Sequence, residues 1–191
     1  MYLIFEGVDT SGKTTQIELL KNQLKGAIFT KEPGGTDLGV SLREIILHQG
    51  VQSKKAELLL FLADRAEHYE KIIKPNREKI VISDRGLISG IAYAKANGDT
   101  DIDFLCELNR YVLDNNMPDL VILMWTNEKI IRKRLSGKNE DTIESRGIEY
   151  LLRVQENMKE ILDILKINYR VIDSSKTIKE INKEIRGLIN D

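Results

Sequence analysis

Gly7-Val8-Asp9-Thr10-Ser11-Gly12-Lys13-Thr14, with Thr15 behind it, carries the spacing Gly-x-x-x-x-Gly-Lys-Thr. An apolar run, Tyr2 to Phe5, precedes it and a helical pattern follows, the context in which this spacing forms a phosphate-binding loop. Glycines let successive backbone N–H groups turn inward around phosphate oxygens, and the following helix presents its positive end to them. Lys13 is placed to reach the β- and γ-phosphates of a nucleoside triphosphate, and the Thr14 hydroxyl to coordinate Mg²⁺.

Other residues could serve the same chemistry. Ile80-Val81-Ile82-Ser83-Asp84 is an apolar strand pattern closing on a carboxylate. Beside a phosphate loop, such a carboxylate helps hold the Mg²⁺ shell, directly or through water; the alternative is a turn residue or helix cap. Thr14 and Asp84 are therefore the candidate metal ligands. Asp9 adds a negative charge inside the loop, costly near a triphosphate unless it faces another partner. It is otherwise a free position of the motif. Phe61 and Arg65 lie four apart and share a helical face. A ring that stacks and a guanidinium that donates suit a flat base with carbonyl oxygens. Composition alone favours a core phenylalanine beside a solvated arginine. His48 and His68 read as helix-surface residues, and no Ser/His/Asp or Cys/His constellation stands out.

Five short β-rich runs must position these groups: Tyr2 to Phe5, Ala27 to Thr30, Ile80 to Ser83, Leu120 to Trp125 and Tyr169 to Ile172. Helical patterns lie between them, so the chain reads as α/β with a buried, largely parallel sheet. Thr14 to Lys25 sets Ile17, Leu20 and Leu24 on one face. Thr177 and Glu180 form a capping box before Ile178, Ile181, Ile185 and Leu188. At 191 residues, with three scattered prolines and no Ser/Gly tract, one domain is the better reading.

Lys plus Arg number 29 against 30 Asp plus Glu, and this balance gives no electrostatic case for nucleic acid or membrane binding. The single cysteine, Cys106, falls in a helical pattern as a core thiol and fits a reducing compartment. Leu58 to Ala63, the longest apolar run, is too short to span a bilayer, and no basic region with an apolar signal core opens the chain. The expectation is a soluble cytoplasmic protein. The Leu58 to Leu62 helix is open between core and interface.

A phosphate loop alone does not separate switches, motors and small-molecule kinases. Thr126-Asn127-Glu128-Lys129 is not the Asn/Thr-Lys-x-Asp guanine motif, and Asp173-Ser174-Ser175-Lys176 reads as a strand-to-helix turn beside the donor base. The chain is short for a motor.

Phe5-Glu6-Gly7-Val8-Asp9, Lys31-Glu32-Pro33-Gly34-Gly35-Thr36, Leu60-Phe61-Leu62-Ala63-Asp64-Arg65-Ala66-Glu67-His68 and Ser83-Asp84-Arg85 resemble, in order and spacing, the signature blocks of the bacterial thymidylate kinase family. The similarity runs through the chain and weakens after about residue 95. It implies a three-layer P-loop kinase fold with a five-stranded parallel sheet, ATP as donor bound by residues 7–15, dTMP as acceptor, Mg²⁺ and a homodimer. It also implies roles at the acceptor. Asp9 meets the 3′-hydroxyl of dTMP; Phe61 stacks on thymine and Arg65 bonds its O4. Arg43 and Arg85 hold the acceptor phosphate, Glu32 and Pro33 belong to a closing loop, Ser89 and Gly90 line the site, and Tyr93 stands against the sugar's 2′ position. A surface ion pair for either arginine, or helix packing for Tyr93, is the alternative. Other readings of the chain are a kinase for a different nucleoside monophosphate or a nucleoside, and a P-loop binding protein whose nucleotide state controls a partner.

Two departures matter. Gly86 stands where the family has a bulky aromatic or histidine, and Ala94 where many members carry glutamine, so thymine would lose one side-chain hydrogen bond that Ser89 or a water would replace. Thr10 excludes a transfer-stabilising arginine from the loop, and Thr142 replaces the usual arginine of the lid segment near residues 136–147. Arg132, Arg134, Lys138 and Arg146 remain as candidates for that charge, with Arg134 the first choice. The expected reaction transfers the γ-phosphoryl group to dTMP with Lys13, Arg85, Asp9 and Arg134 at its centre. The nucleophile is an ionised phosphate oxygen, so no general base is required.

Overall fold

In the computed structural model, residues 1–98, 101–135 and 147–190 are described. Five strands, β1 (Tyr2–Glu6), β2 (Ile28–Lys31), β3 (Val81–Asp84), β4 (Leu120–Trp125) and β5 (Tyr169–Asp173), form one sheet in the order β2-β3-β1-β4-β5. Every neighbouring pair is parallel. The helices are α1 (Lys13–Gln23), α2 (Asp37–Glu44), α3 (Lys54–His68), α4 (Leu87–Ala96), α5 (Ile102–Val112), α6 (Glu128–Leu135), α7 (Ile148–Leu165) and α8 (Ile178–Asn190).

Alternation along β1 builds both cores. Tyr2 and Ile4 face the helices α4, α5 and α7, while Leu3 and Phe5 face α1 and α8. The same alternation divides β4, with Val121 and Leu123 on the first side and Leu120, Ile122 and Met124 on the second. A strand buried on both faces must be continuously apolar, which is why these runs are legible in sequence. Each fully buried side chain of this size contributes about 1.5–3 kcal/mol. Cys106 is part of the first core, at 2% exposure. Leu62 of α3 is core, whereas Leu59 is 60% exposed.

Four strands run further at their carboxyl ends than their apolar runs predict, and the added residues are Glu6, Lys31, Asp84 and Asp173. Backbone pairing keeps these polar residues in the ladder: Glu6 lies beside Leu123, Lys31 beside Asp84 and Asp173 beside Trp125. Ligands of open parallel sheets bind outside the carboxyl ends of the strands. The capping box at α8 forms in both directions: Thr177 N–H donates to Glu180 Oε2 at 2.9 Å and Glu180 N–H to Thr177 Oγ1 at 3.3 Å.

Candidate active site

The turn from β1 into α1 makes the cradle. Gly7 and Gly12 adopt φ of 144° and 98°, and a Cβ on Gly7 would stand 2.7 Å from the Met124 carbonyl oxygen. Thr10 also takes a positive φ, 66°, a costly conformation for a β-branched residue. Lys13 folds back over the loop, donating to the Gly7 carbonyl at 2.8 Å and that of Val8 at 3.1 Å. Burial and the nearby Arg85 guanidinium push its ammonium down to about 8. Val8, Ser11 and Thr15 complete the loop, with Ser11 N–H donating to the Val8 carbonyl at 3.2 Å.

At the far side of Lys13, the Thr14 hydroxyl donates to Asp84 Oδ2 at 3.3 Å. Asp84 Oδ1 is buried and makes no hydrogen bond. A hydroxyl beside a carboxylate with an unpartnered oxygen is a hard-oxygen pair suited to Mg²⁺, which takes few protein ligands and completes its shell with phosphate and water. The residues fit the ion.

An open cleft of about 360 Å³ lies over the cradle, bounded by Asp9, Thr10, Gly12, Lys13, Thr14, Thr15 and Arg134. Arg134, at the end of α6, donates to the Thr10 carbonyl at 2.7 Å and the Ser174 carbonyl at 3.0 Å, joining the loop to the turn after β5. Arg132 is instead paired with Glu128 at the surface. Lys138, Thr142, Arg146 and the rest of the lid segment up to residue 146 lie outside the described residues.

A second cavity opens on the other side of Asp9. It is lined by Asp9, Glu32, Pro33, Arg43, Phe61, Arg65, Arg85, Ser89, Gly90 and Tyr93, together with Leu47 and Gly86. The structure therefore gathers every residue that the resemblance associates with an acceptor. Arg85 joins the two sides: it donates to Asp9 Oδ1 at 2.5 Å, to the Gly7 carbonyl at 3.0 Å and to Ser89 Oγ at 3.0 Å. Its own backbone sits at φ 71°, held by its N–H to the Phe5 carbonyl at 2.9 Å and by the Ser83 hydroxyl on its carbonyl at 2.8 Å. The Asp9 charge thus faces a guanidinium.

Arg65 is not solvated. It is 2% exposed and donates from Nε to Glu32 at 2.8 Å, from one terminal nitrogen to Asn109 Oδ1 at 2.6 Å and from the other to the Gly86 carbonyl at 2.9 Å. Three of its five N–H bonds are spent and two remain for the cavity. Gly90 lies against this group: a Cβ there would stand 3.1 Å from both terminal nitrogens. Glu32 is equally buried; burial alone would raise its carboxyl, but Arg65 and His68 outweigh that and hold it below its ordinary value. Arg43 donates to the Pro33 carbonyl at 3.0 Å, and the Glu32-Pro33 bond is cis. The Tyr93 hydroxyl is buried without a partner, its pKa raised by burial, and the Arg85 guanidinium lies 5.8 Å from its ring centroid.

Two expectations are corrected. His68 is not a surface residue: at 0% exposure it meets Glu32 Oε1 through Nδ1 at 2.8 Å and Thr30 Oγ1 through Nε2 at 2.6 Å. His48 is exposed, as expected. Ser89 cannot replace the missing glutamine as a donor, because its single hydroxyl proton goes to Glu6 Oε2. Glu6 itself escaped notice, as did Asn109 and Leu47. Leu47 follows Arg43 by four residues, a spacing that could have found it. Gly86 has a reason to be small: a Cβ would stand 2.7 Å from Ile4 Cδ1.

Glu6, the last residue of β1, accepts from the Gly86 N–H at 2.9 Å and the Ser89 N–H at 3.1 Å, capping α4 from a neighbouring strand. Burial pushes its carboxyl up to about 7, against these hydrogen bonds and the nearby Arg85, which favour the charged form.

Comparison with known proteins identifies the family. The family model described as thymidylate kinase matches residues 5–185. A thymidylate kinase of Sulfurovum sp. (strain NBC37-1) is 54% identical over 185 residues, covering 97% of each chain. One of Campylobacter concisus is 51% identical over 193 residues, covering 100% of this chain and 99% of that one. The crystal structure of thymidylate kinase from Ehrlichia chaffeensis superposes with a TM-score of 0.78 at 32% identity, over 100% of this chain and 98% of the other. The chain belongs to the thymidylate kinase family.

Proposed function

We propose that this enzyme transfers the γ-phosphoryl group of MgATP to dTMP, with the cleft over the phosphate loop as donor site and the cavity beyond Asp9 as acceptor site. The observation that carries the assignment is the Arg85 guanidinium, which touches both the Gly7 carbonyl of the loop and the Asp9 carboxylate between the two sites. In this reading Phe61 stacks on thymine, the two uncommitted N–H bonds of Arg65 address its O4, Tyr93 limits space at the sugar's 2′ position, and Arg43 and Arg85 meet the acceptor phosphate.

The attacking atom is a phosphate oxygen of dTMP, already ionised at neutral pH, so no side chain has to remove a proton. Catalysis rests on bringing two polyanions into line and neutralising the charge of the transferring group. Lys13 leaves the Gly7 and Val8 carbonyls for the β- and γ-phosphates, and Arg134 and Arg85 approach from opposite sides. Thr14 and Asp84 would hold the Mg²⁺, which neutralises charge on the β- and γ-phosphate oxygens.

The same reading makes residues 1–191 one domain with a lid near 136–147, acting in the cytoplasm; no described helix is long and apolar enough to cross a membrane. It also includes a homodimer, supported by large exposed apolar side chains on the packed helices α3 (Leu59) and α5 (Phe104, Tyr111). ADP release from ATP with a panel of nucleoside monophosphates and nucleosides tests the function. Acceleration by dTMP above all others is expected; no dependence on any acceptor, or preference for a different one, would refute it.

A further inference from the structure

We infer that Glu6 is a positioning residue for Arg85, acting through the hydroxyl of Ser89. The inference rests on the reading of Arg85 as an arginine of the acceptor phosphate.

Glu6 is 0% exposed and divides its two oxygens between two tasks. Oε1 takes the N–H groups of Gly86 and Ser89, the first turn of α4. Gly86 has no side chain with which to cap this helix, so β1 supplies the acceptor. A neutral group could do as much. The other oxygen, Oε2, takes the hydroxyl proton of Ser89. With its proton committed, the Ser89 oxygen presents only lone pairs to the remaining direction, where Arg85 donates at 3.0 Å. Because one hydrogen bond polarises the next, Glu6 in its charged form makes that oxygen a stronger acceptor than an unassisted serine.

Arg85 needs such a hold. Its backbone occupies a left-handed conformation, and its side chain reaches back from the end of β3 to the Gly7 carbonyl and Asp9. A dianionic ligand arriving in the cavity competes for the guanidinium. The Gly7 carbonyl, Asp9 and Ser89 determine where the guanidinium stands before that happens, and Glu6 governs the last of these. Such preorganisation acts on acceptor binding while leaving the donor cradle unaltered.

Glu6→Gln tests this without dismantling the fold. Its amide oxygen can keep both α4 N–H groups, while its NH₂ replaces Oε2 and donates to Ser89, reversing that one hydrogen bond. Steady-state kinetics should show the KM for dTMP raised about tenfold, the loss of one hydrogen bond to a charged group, with the KM for ATP changed less than about twofold and the unfolding midpoint not lowered. Ser89→Ala should reproduce the dTMP effect. In the Ser89→Ala background, Glu6→Gln should add less than about twofold. Equal changes in both KM values, additive effects in the double variant, or a KM loss that follows lowered thermal stability would overturn the inference. Arg85→Ala, measured alongside, separates the two levels. A raised KM for dTMP there with an unchanged one in Glu6→Gln overturns the role of Glu6 alone. An unchanged KM in Arg85→Ala overturns the acceptor-phosphate reading and the inference with it.

Discussion

Arg65 Nε and Glu32 Oε2 meet at 2.8 Å, and each side chain is only 3% exposed. The pair sits in the wall of the proposed acceptor cavity, where Glu32 holds His68 with its other oxygen and Arg65 holds Asn109 and the Gly86 carbonyl. A helix, the loop after β2 and the start of α4 are thereby tied at one buried point. The group proposed to face the acceptor base is also a structural tie.

Breaking that pair should be felt in stability. Glu32→Ala leaves Arg65 buried and unpaired, which costs about 3–5 kcal/mol in such settings. Chemical denaturation should show that loss at pH 7. The pH dependence has a definite sign. The folded-state value of Glu32 lies below its ordinary one of 4.5, so the pair's contribution is fully present above 4.5 and fades as pH falls through the depressed value. The variant should therefore lose less stability on acidification than the parent.

Gly90→Ala places a methyl 3.1 Å from both terminal nitrogens of Arg65. The guanidinium is tied on its other edges and has little room to yield. The expected outcome is a several-fold rise in the KM for dTMP with that for ATP unchanged, an overpacking cost of about 1–3 kcal/mol focused on one substrate. Steady-state kinetics with each substrate varied in turn checks it.

Lys13 supplies two expectations. Lys13→Ala should lower turnover by roughly 10²–10³-fold while the protein stays folded, since its charge is needed where negative charge develops. In the free enzyme its value near 8 means that ATP finds the ammonium charged below pH 8 and must recruit a proton above it. Calorimetry should then show affinity for ATP falling by up to about tenfold per pH unit above 8, with proton uptake on binding. A flat profile across that range would contradict the assignment.

Arg134 reaches the Thr10 carbonyl from the end of α6 and stands at the donor side only. Arg134→Ala should reduce kcat, by about 10-fold or more, with little change in the KM for dTMP. A pure rise in the KM for dTMP would remove it from the transferring group.

The phosphate loop, the alternating cores and the Phe61–Arg65 face were legible in the sequence because each lies in a local pattern: Gly-Lys-Thr spacing, two-residue alternation, or two side chains four apart. Glu32, Pro33, Arg43, Arg85, Ser89, Gly90 and Tyr93 were marked by the resemblance of whole blocks to the thymidylate kinase family. The ties between them were not. Glu6 and Ser89 are 83 residues apart, Glu32 and His68 36, and Arg65 and Asn109 44. Only the sheet order brings those pairs together. His68 was misread for the same reason, since a histidine in a polar helical stretch shows its burial only when the loop after β2 is laid across it. Its spacing from Arg65 and Phe61, three and seven residues, was the available hint.

Because Arg65 is an ion-pair partner as well as a cavity wall, its removal mixes two effects, and Phe61 is the cleaner probe of the acceptor site. Phe61 lines the cavity on the same helical face and forms no buried ion pair. The most direct test is equilibrium titration of Phe61→Ala with dTMP and, separately, with ATP. Affinity for dTMP should fall at least about tenfold, the loss of one aromatic stacking contact, with ATP affinity unchanged. Equal losses for the two nucleotides, or none for dTMP, would contradict the placement of the acceptor in this cavity.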